Sequence, residues 1–367
     1  MIFIFSIYDN MKTTKGIVVK LQISKTEKQF LDRLLGCKRV IWNEALAYKK
    51  ELYETYKRRN PCIDNSEEKK IIQNLGSNSE IQKAFAKKEI IKYEGYEYLR
   101  DVPSKATQQL LNDLDSTFKG FYKGKTGYPQ FKKKSEPKQS IRFLDCLGLL
   151  KLNSKIMGIK IGRMLLQGLN PERGNNKLFS EEIEIHNISL SKDNLNNYYA
   201  SICYSLERLE PSRINDKYVG LDMGITDSVT TSDGDFHNLS SSLKRIQSRR
   251  KILQKRYKNK TNGSLSCNKL KLQIAKLYKK ETNIRKDFHH KLSDKLTKTH
   301  GVIVCEDLKI KNMSKSAKGT KEKPGKMVAQ KSGLNREILN QSWGQFLTLL
   351  SYKASQRGGE IIFVAPQ

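Results

Sequence analysis

The fold of this chain is decided by one short stretch in its second half, Tyr218-Val219-Gly220-Leu221-Asp222-Met223-Gly224. The stretch is mostly apolar up to its aspartate, which predicts a strand that ends in a carboxylate. A second apolar run also ends in a carboxylate, Val302-Ile303-Val304-Cys305-Glu306. We expect the two strands to lie side by side in a sheet, with Asp222 and Glu306 together at its edge.

Two carboxylates at strand ends suit divalent-metal chemistry, because Mg²⁺ prefers oxygen ligands and paired ions cut phosphodiesters efficiently. We interpret Asp222 and Glu306 as candidate catalytic and metal-binding residues, and the flanking glycines as room for the backbone to approach a phosphate. Taken singly, either carboxylate is more often a cap, a turn residue or a solvated group. Asp227 and Asp233 are weaker candidates, Asp227 being expected to shape the next strand, and Asp307 is expected to face the other side.

The composition points to a polyanionic partner. The chain has 367 residues, enough for two or three domains, and 69 Lys and Arg against 38 Asp and Glu give a net charge of +31. The six cysteines show no Cys-x-x-Cys spacing, so neither a zinc knuckle nor a disulfide framework is expected. No segment resembles a signal peptide or a membrane span, which favours a cytoplasmic protein, nucleoid-associated if bacterial.

The first half of the sequence predicts strands around a helical region. We expect residues 1–11 to be an extension, with translation starting at Met11. The predicted elements that follow are a strand at 12–23, a helix at 27–57 that starts near Ser24 and Thr26, a polar loop at 64–79, a helix at 80–93, a helix capped by Ser104, and short strands between 140 and 210. Those strands predict a barrel-like unit.

The second half predicts alternating strands and helices after a boundary near 211–216. The predicted elements are strands at 218–223, 226–231 and 235–239, with a hairpin turn at Ser232-Asp233-Gly234, a helical region at 240–298 broken near 262–264, a strand at 302–305, a basic loop at 311–332, a helix at 335–357 and a strand at 360–364. This order fits a ribonuclease H-like α/β fold.

Two segments are candidates for nucleic-acid binding. Residues 244–260 contain nine Lys or Arg and no acid, which favours a phosphate track over an ordinary solvated helix face. The basic, aromatic-rich stretch 121–134 suits base stacking with phosphate contacts, and an exposed linker with packed aromatics is an equal alternative. His289 and His290 lack partners at ligand spacing, so we expect them to pack.

The order and spacing of several motifs resemble the TnpB proteins, the transposon-encoded OrfB family related to type V CRISPR effectors. The resemblance extends from Met11 onwards and rests on these motifs: Val102-Pro103-Ser104, Gly127-Tyr128-Pro129-Gln130-Phe131-Lys132, Gly220-Leu221-Asp222-Met223-Gly224-Ile225, Ser232-Asp233-Gly234, Asp287-Phe288-His289-His290-Lys291, Glu306-Asp307-Leu308 with Asn312-Met313, Trp343 to Phe346, and Phe363-Val364-Ala365-Pro366-Gln367.

The resemblance implies RNA-guided DNA recognition, with a guide RNA and double-stranded target DNA as partners. It implies an α+β multidomain protein with an N-terminal β-barrel at 12–211, a helical recognition insertion at about 27–120, and a RuvC-type domain at 212–367. Asp222 matches the family's first catalytic Asp and Glu306 its catalytic Glu, both binding Mg²⁺. Candidate nucleic-acid contacts are Lys105, Gln109, Tyr128, Lys132, Lys133, Lys244, Arg245, Arg249, Arg250, Lys255 and Arg256.

The chain departs from the family pattern at Gln367, where the family continues into a Cys-x-x-Cys zinc module and a helix bearing the last catalytic Asp. We therefore expect a truncated member that binds guide and target, lacks zinc and cuts weakly or not at all. Slow cutting with one metal ion, completion by a separately encoded piece, a guide-independent basic nucleic-acid-binding protein and an inactive transposon remnant stay open as alternatives.

Overall fold

The computed structural model describes residues 11–59, 99, 102–144, 150–153, 156–161, 164–167, 183–208 and 215–365. The chain divides into two compact units, an N-terminal unit at 11–208 and a C-terminal unit at 209–367. The predicted polar loop at 64–79 and the predicted helix at 80–93 lie outside the described residues. The predicted extension at 1–11 lies outside them too, except that Met11 begins the first strand.

The described elements of the N-terminal unit are two long helices and a set of antiparallel strands. In chain order they are β1 (Met11–Lys20), α1 (Lys25–Arg59), α2 (Ser104–Tyr122), β2 (Lys138–Phe143), β3 (Leu150–Asn153), β4 (Ile156–Ile161), β5 (Met164–Gln167), β6 (Ile183–Asp193) and β7 (Tyr198–Arg208).

The strands of the N-terminal unit form two antiparallel sheets. One has the order β1-β7-β6-β2, and the other has the order β3-β4-β5. β1 pairs with β7 over its whole length, from Met11 opposite Arg208 to Lys20 opposite Tyr199. The described strands thus lie in two separate sheets, and their closure into a barrel stays a prediction.

Helix α1 begins with a reciprocal cap, which confirms the start predicted near Ser24. The Ser24 backbone N–H donates to Oε2 of Glu27 at 2.6 Å, and the Glu27 N–H donates to Oγ of Ser24 at 3.3 Å. Such a capping box satisfies two of the backbone donors that a helix start leaves unpaired. Apolar residues at helical spacing, among them Leu31, Leu34 and Ile41, then bury one face of the helix.

The predicted cap of α2 is wrong by one residue. The helix begins at Ser104, and the residue in the cap position is Pro103, with φ −56° and ψ 134°. Proline holds φ near this value without cost, and an extended residue before the first turn is the geometry that a helix start requires. The sequence signal marked the correct boundary and assigned the cap to the wrong side chain.

In the C-terminal unit, helices alternate along the chain with the strands of one mixed sheet. Its described elements are β8 (Tyr218–Asp222), β9 (Val229–Thr231), β10 (Phe236–His237), α3 (Ser241–Lys258), α4 (Leu265–Thr299), β11 (Val302–Glu306), α5 (Ile310–Met313), α6 (Val328–Gln341), α7 (Trp343–Ser355) and β12 (Glu360–Val364). The strand order in the sheet is β10-β9-β8-β11-β12.

Strands β8, β11 and β12 are parallel neighbours, whereas β9 pairs antiparallel with both β8 and β10. Alternation along the strands sends Leu221 and Cys305 into a buried core. That core is completed by side chains of the helices, including Leu296 of α4 and both Phe346 and Leu350 of α7. The helices therefore cover one face of the sheet, the face opposite to Asp222 and Glu306 in the strand alternation.

The helix predictions in this unit are partly confirmed. The break between α3 and α4 is where it was predicted, with Gly263 at φ 86°. The helix predicted at 335–357 is wrong in both its start and its continuity. It begins at Val328 and is divided at Ser342, whose φ of 55° is left-handed. This single residue redirects the chain so that Trp343 and Phe346 of α7 enter the core.

Polar contacts join α4 to α7 beside the apolar core. Lys353 Nζ donates to the His290 carbonyl at 2.6 Å and to Oγ of Ser293 at 2.9 Å. Arg357 donates to Asp294 at 2.6 Å, and hydrogen bonds from Lys298 and Arg357 lower the pKa of Asp294 to about 2. These bonds fix the rotation of α7, since each requires one orientation of the helix.

Candidate functional site

The two predicted metal ligands lie at the ends of neighbouring parallel strands. Cys305 is paired with Leu221, so the next residue of each strand, Glu306 and Asp222, leaves the sheet on the same side. Both carboxylates line one open cleft with a volume of about 360 Å³. Asp222 is exposed and Glu306 is half-buried, so both can reach a ligand from solvent.

Hydroxyl groups complete the lining of this cleft, and the sequence reasoning missed them. Thr230 of β9 is the cross-strand partner of Asp222, and Ser232 follows β9. Both line the cleft. Ser232 is held in place because its Oγ accepts the Gly220 N–H at 3.0 Å. No sequence signal separates these residues from ordinary strand and turn residues, since only the strand register brings them beside Asp222.

The other acidic residues of the region are engaged elsewhere. Oδ1 of Asp227 accepts a hydrogen bond from Nδ2 of Asn238 at 2.7 Å, and the expectation that Asp227 shapes the following strand stays a prediction. Asp233 lies 3.1 Å from Nε2 of His300, and Asp307 forms an ion pair with a neighbouring lysine. None of these three carboxylates lines the cleft. The structure therefore brings together Asp222 and Glu306 and does not add the weaker candidates.

The two glycines beside Asp222 differ in the space around them. A Cβ at Gly224 would lie 2.7 Å from the Asp227 carbonyl oxygen, whereas a Cβ at Gly220 would meet only the Ser232 side chain at 3.6 Å. Gly224 is thus required by a contact within the protein. The interpretation that both glycines make room for phosphate is therefore revised, and it is kept for Gly220 alone.

The donor set of the cleft suits a hard cation. Asp222 and Glu306 offer carboxylate oxygens and Thr230 and Ser232 offer hydroxyl oxygens, which are the ligand types that Mg²⁺ takes. Cys305 also lines the cleft, but burial raises the pKa of its thiol to about 12, so it stays protonated. Among the residues that the structure describes, no group of three or more His, Cys, Asp or Glu is arranged for a metal. Within the described residues, the carboxylates that line the cleft are those of Asp222 and Glu306.

The basic residues of α3 form a surface with little internal neutralisation. Seven of the predicted cations are exposed on the helix and an eighth follows it: Lys244, Arg245, Arg249, Lys251, Lys255, Arg256, Lys258 and Lys260. Within the described residues, none of these eight is in an ion pair with a carboxylate. This arrangement leaves their charge available to a polyanion.

Arg250, the ninth cation of the segment, has a different role. Its Nε donates to Oε1 of Glu281 at 2.6 Å, and its Nη1 donates to the Tyr278 hydroxyl at 3.0 Å. The guanidinium also lies 4.3 Å from the centre of the Tyr278 ring. Since the Glu281 side chain is only 2% exposed, this is a buried structural pair between α3 and α4. We therefore remove Arg250 from the candidate nucleic-acid contacts.

The predicted nucleic-acid contacts of the N-terminal unit differ in their exposure. Lys105 and Lys133 are exposed, and Tyr128 is 41% exposed with its ring edge-on to two phenylalanines. Lys132 is half-buried, with Nζ 5.0 Å from the centre of the Trp42 ring. Gln109 is 7% exposed and donates to Asp113, so its amide is occupied within the fold. Its predicted nucleic-acid contact is not supported by this placement.

The histidines agree with the prediction that they pack. His289 is 2% exposed, its ring lies 5.6 Å from that of Phe346, and Nδ1 is 3.3 Å from Oε1 of Gln345. The carbonyl of His290 accepts from Lys353. Both residues thus belong to the interface of α4 and α7.

Comparisons with known proteins agree with this arrangement. Residues 201–317, which contain both cleft carboxylates, match the family model of the IS605 OrfB proteins, described as "Probable transposase". Residues 11–58 match the associated model described as "Helix-turn-helix domain". In the structure this second segment is a strand followed by one uninterrupted helix, α1, and not a pair of helices.

Two curated proteins are similar over much of the chain. The "Putative RNA-guided DNA endonuclease InsQ" of Escherichia coli (strain K12) is 34% identical over 270 residues, which cover 74% of this chain and 64% of that protein. A "Putative RNA-guided DNA endonuclease" of Streptomyces pristinaespiralis is 25% identical over 341 residues, covering 91% of this chain and 73% of the relative. The match thus spans less than two thirds of the length of the Escherichia coli protein.

These matches first give the class of the chain, which is that of the transposase-related proteins. Within that class, the chain belongs to the TnpB/OrfB family of the IS605 group. Its described helices include none with the length and apolar character needed to cross a bilayer.

Proposed function

We propose that this protein is an RNA-guided DNA-binding protein whose C-terminal unit contains a RuvC-type, Mg²⁺-dependent DNA endonuclease site. The observation that carries the proposal is the placement of Asp222 and Glu306 at the ends of adjacent parallel strands, in one open cleft. The strand order of the sheet, with three parallel strands and an antiparallel hairpin, is the order expected for a ribonuclease H-like domain. The names of the two relatives supply the expectation of a guide RNA and a DNA target.

In the proposed reaction, Asp222 and Glu306 would hold Mg²⁺ through their carboxylate oxygens. The ion would supply charge stabilisation for phosphodiester hydrolysis. The protein positions the carboxylates and attracts the nucleic acid. The parallel strands keep the two carboxylates on one side, and the bonds of Ser232 to Gly220 hold the β8–β9 edge rigid. The exposed cations of α3 attract the nucleic-acid backbone.

We propose that Asp222 and Glu306 both contribute carboxylate oxygens to the Mg²⁺ site, since both line the cleft. The alternative with an independent basis is a guide-independent nucleic-acid-binding protein, favoured by the net charge of +31 and the uncompensated cations of α3.

Sequencing the RNA that co-purifies with the full chain separates these two functions. One defined RNA species bound in stoichiometric amount is expected for a guided protein, whereas a mixture of cellular RNA would support the guide-independent alternative. The loaded complex is then given labelled double-stranded DNA that matches the RNA, and binding and strand cleavage are measured with and without Mg²⁺.

Single substitutions then test the site. Asp222→Ala and Glu306→Gln are expected to keep guide-dependent DNA binding and to remove Mg²⁺-dependent cleavage. Asp233→Asn is the matched control, because Asp233 lies near the same strands but outside the cleft. Cleavage that survives Asp222→Ala, or that is lost equally in the control, would contradict the assignment of the site.

A further inference from the structure

The N-terminal unit contains a second cleft, smaller and strongly basic, between α1 and the segment that leads into β2. Its volume is about 100 Å³, and five of its nine lining residues are cationic. The lining residues are Leu35, Lys38, Arg39, Lys132, Lys133, Glu136, Lys138, Gln139 and Ser140. We call it the basic cleft. Only two of its lysines were candidates from the sequence.

The wall of the basic cleft opposite α1 is held rigidly by two side chains of that helix. Trp42 Nε1 donates to the Gln130 carbonyl at 3.0 Å. Asn43 makes two bonds to Lys132, accepting its N–H at 2.8 Å and donating to its carbonyl at 3.1 Å. These hydrogen bonds fix the backbone of the segment on α1. Its lysines are therefore positioned before any ligand binds.

Lys38 lies in the wall that α1 contributes, where its ammonium is half-buried and donates to the Ser140 carbonyl at 2.5 Å. Burial lowers the pKa of Lys38, and the like charges of Lys132 and Arg142 lower it further, against the opposing effect of Asp113 and Glu136. A cation in this setting gains free energy when an anion comes close, because the anion replaces lost solvation and offsets the repulsion.

The single acidic residue of the basic cleft does not neutralise it. Glu136 accepts the backbone N–H of Lys133 at 3.1 Å, a bond that shapes the turn before β2. In the described part of the chain, no carboxylate lies within ion-pair distance of Arg39, Lys133 or Lys138. Several cations around one concave site repel one another, which costs stability, and they raise the local concentration of anions.

We infer that the basic cleft is a binding site for a backbone phosphodiester of a nucleic-acid strand. Lys38 and Arg39 contact the phosphate from α1, and Lys133 and Lys138 contact it from the other wall. Phe131, 48% exposed and next to Lys132 in the chain, offers a ring face on which an unpaired base of the same strand stacks. The inference rests on the proposed nucleic-acid-binding function and gives it a defined contact in the N-terminal unit.

The test compares two double variants of the full chain that lose the same charge. Lys133→Gln with Lys138→Gln removes two exposed cations of the basic cleft, and Lys20→Gln with Lys28→Gln removes two exposed cations outside it, in the same unit. Affinity for fluorescein-labelled single-stranded RNA and for labelled double-stranded DNA of equal length is measured by anisotropy over a series of KCl concentrations. Thermal unfolding confirms that both variants fold.

The cleft variant is expected to bind at least one probe about tenfold more weakly, with the slope of log affinity against log salt reduced by about 1.4 to 1.8 for two lost phosphate contacts. The control variant is expected to change affinity by less than about threefold. The probe that shows the loss identifies the strand as RNA or as DNA. Equal losses in both variants would overturn the inference and leave the proposed function intact. Failure of the wild-type chain to bind either probe would overturn both.

Discussion

One face of the five-stranded sheet is packed against helices and the other carries the open cleft, although both faces are built from the same strands. Leu221 and Cys305 point into the core, at 5% and 1% exposure, next to Phe346 at 0%. One residue further along each strand, Asp222 and Glu306 lie in the open cleft. Alternation thus places adjacent residues of one strand in two different environments, the core and the cleft.

The packed face and the open face of this sheet should contribute differently to stability and to ligand binding. The packed face loses solvent-exposed apolar area on folding, which is the main stabilising contribution in a protein of this kind. The open face carries the exposed Asp222 and the half-buried Glu306, which bury less of their side chains. Substitutions on the packed face should therefore change the free energy of unfolding, whereas those on the open face should change ligand binding.

The largest effect is expected for Phe346→Ala. This change removes a fully buried ring from the packed face and should lower the free energy of unfolding by about 3 to 5 kcal/mol. Phe363→Ala on β12 is the matched control, because that ring is 48% exposed, and it should cost less than about 1.5 kcal/mol. Urea unfolding monitored by circular dichroism measures both. Similar losses in the two variants would mean that the packed face does not dominate stability.

An intermediate effect is expected for Gly224→Ala. The new Cβ would lie 2.7 Å from the Asp227 carbonyl oxygen, so the turn after β8 must shift, at a cost of about 1 to 3 kcal/mol. Gly220→Ala, whose Cβ has 3.6 Å to its nearest neighbour, should change stability by less than about 0.5 kcal/mol. Thermal unfolding of the two variants tests this contrast, and a tolerated Gly224→Ala would show that the turn adapts freely.

A smaller effect is expected from pH at the packed face. Burial lowers the pKa of His289, with the Gln345 hydrogen bond opposing, so the folded state binds the proton less readily than the unfolded state. Stability from this group is present above the unfolded pKa of about 6.5 and is lost as the pH falls toward the folded value. As the pH is lowered from about 7 to about 5, the temperature midpoint of unfolding should decrease. The decrease per pH unit should be smaller in the His289→Gln variant. An unchanged slope in that variant would exclude His289 as a source.

The smallest effect on stability is expected for Asp222→Asn on the open face. Its side chain is exposed, so the free energy of unfolding in the presence of a chelator should change by less than about 0.5 kcal/mol. Mg²⁺ or Mn²⁺ should raise the unfolding midpoint of the wild-type chain and leave that of the variant unchanged, because only the former binds the ion. An equal metal-dependent rise in both proteins would argue against Asp222 as a ligand.

The strands of the sheet and its carboxylate ends could be predicted from the sequence because their signals are local. Apolar runs that end in Asp222 and Glu306 define β8 and β11 without knowledge of the rest of the chain. The hairpin turn with Gly234 and the break at Gly263 were predictable for the same reason, since both positions have positive φ values that favour glycine.

Other features depend on contacts between distant residues and left no such signal. Arg250 has the same local sequence pattern as the exposed cations around it, and only the return of α4 places Glu281 beside it. Ser342 adopts a left-handed conformation that serine seldom takes, so the division between α6 and α7 was not predictable. Trp42 and Asn43 reach residues some 90 positions away, beyond the range of any periodicity.

Helix α1 differs along its length in what holds it. At 35 residues it is about 50 Å long, yet its buried residues end at Leu46. Its first two thirds are fixed by the capping box and the core, so their amide hydrogens should exchange only on unfolding of the unit. The last three turns have half-buried and exposed side chains, and local fraying should let them exchange much sooner. Exchange in the last turns should therefore depend on the ion pair of Lys49 with Asp115, and not on burial of an apolar face as in the first two thirds of the helix.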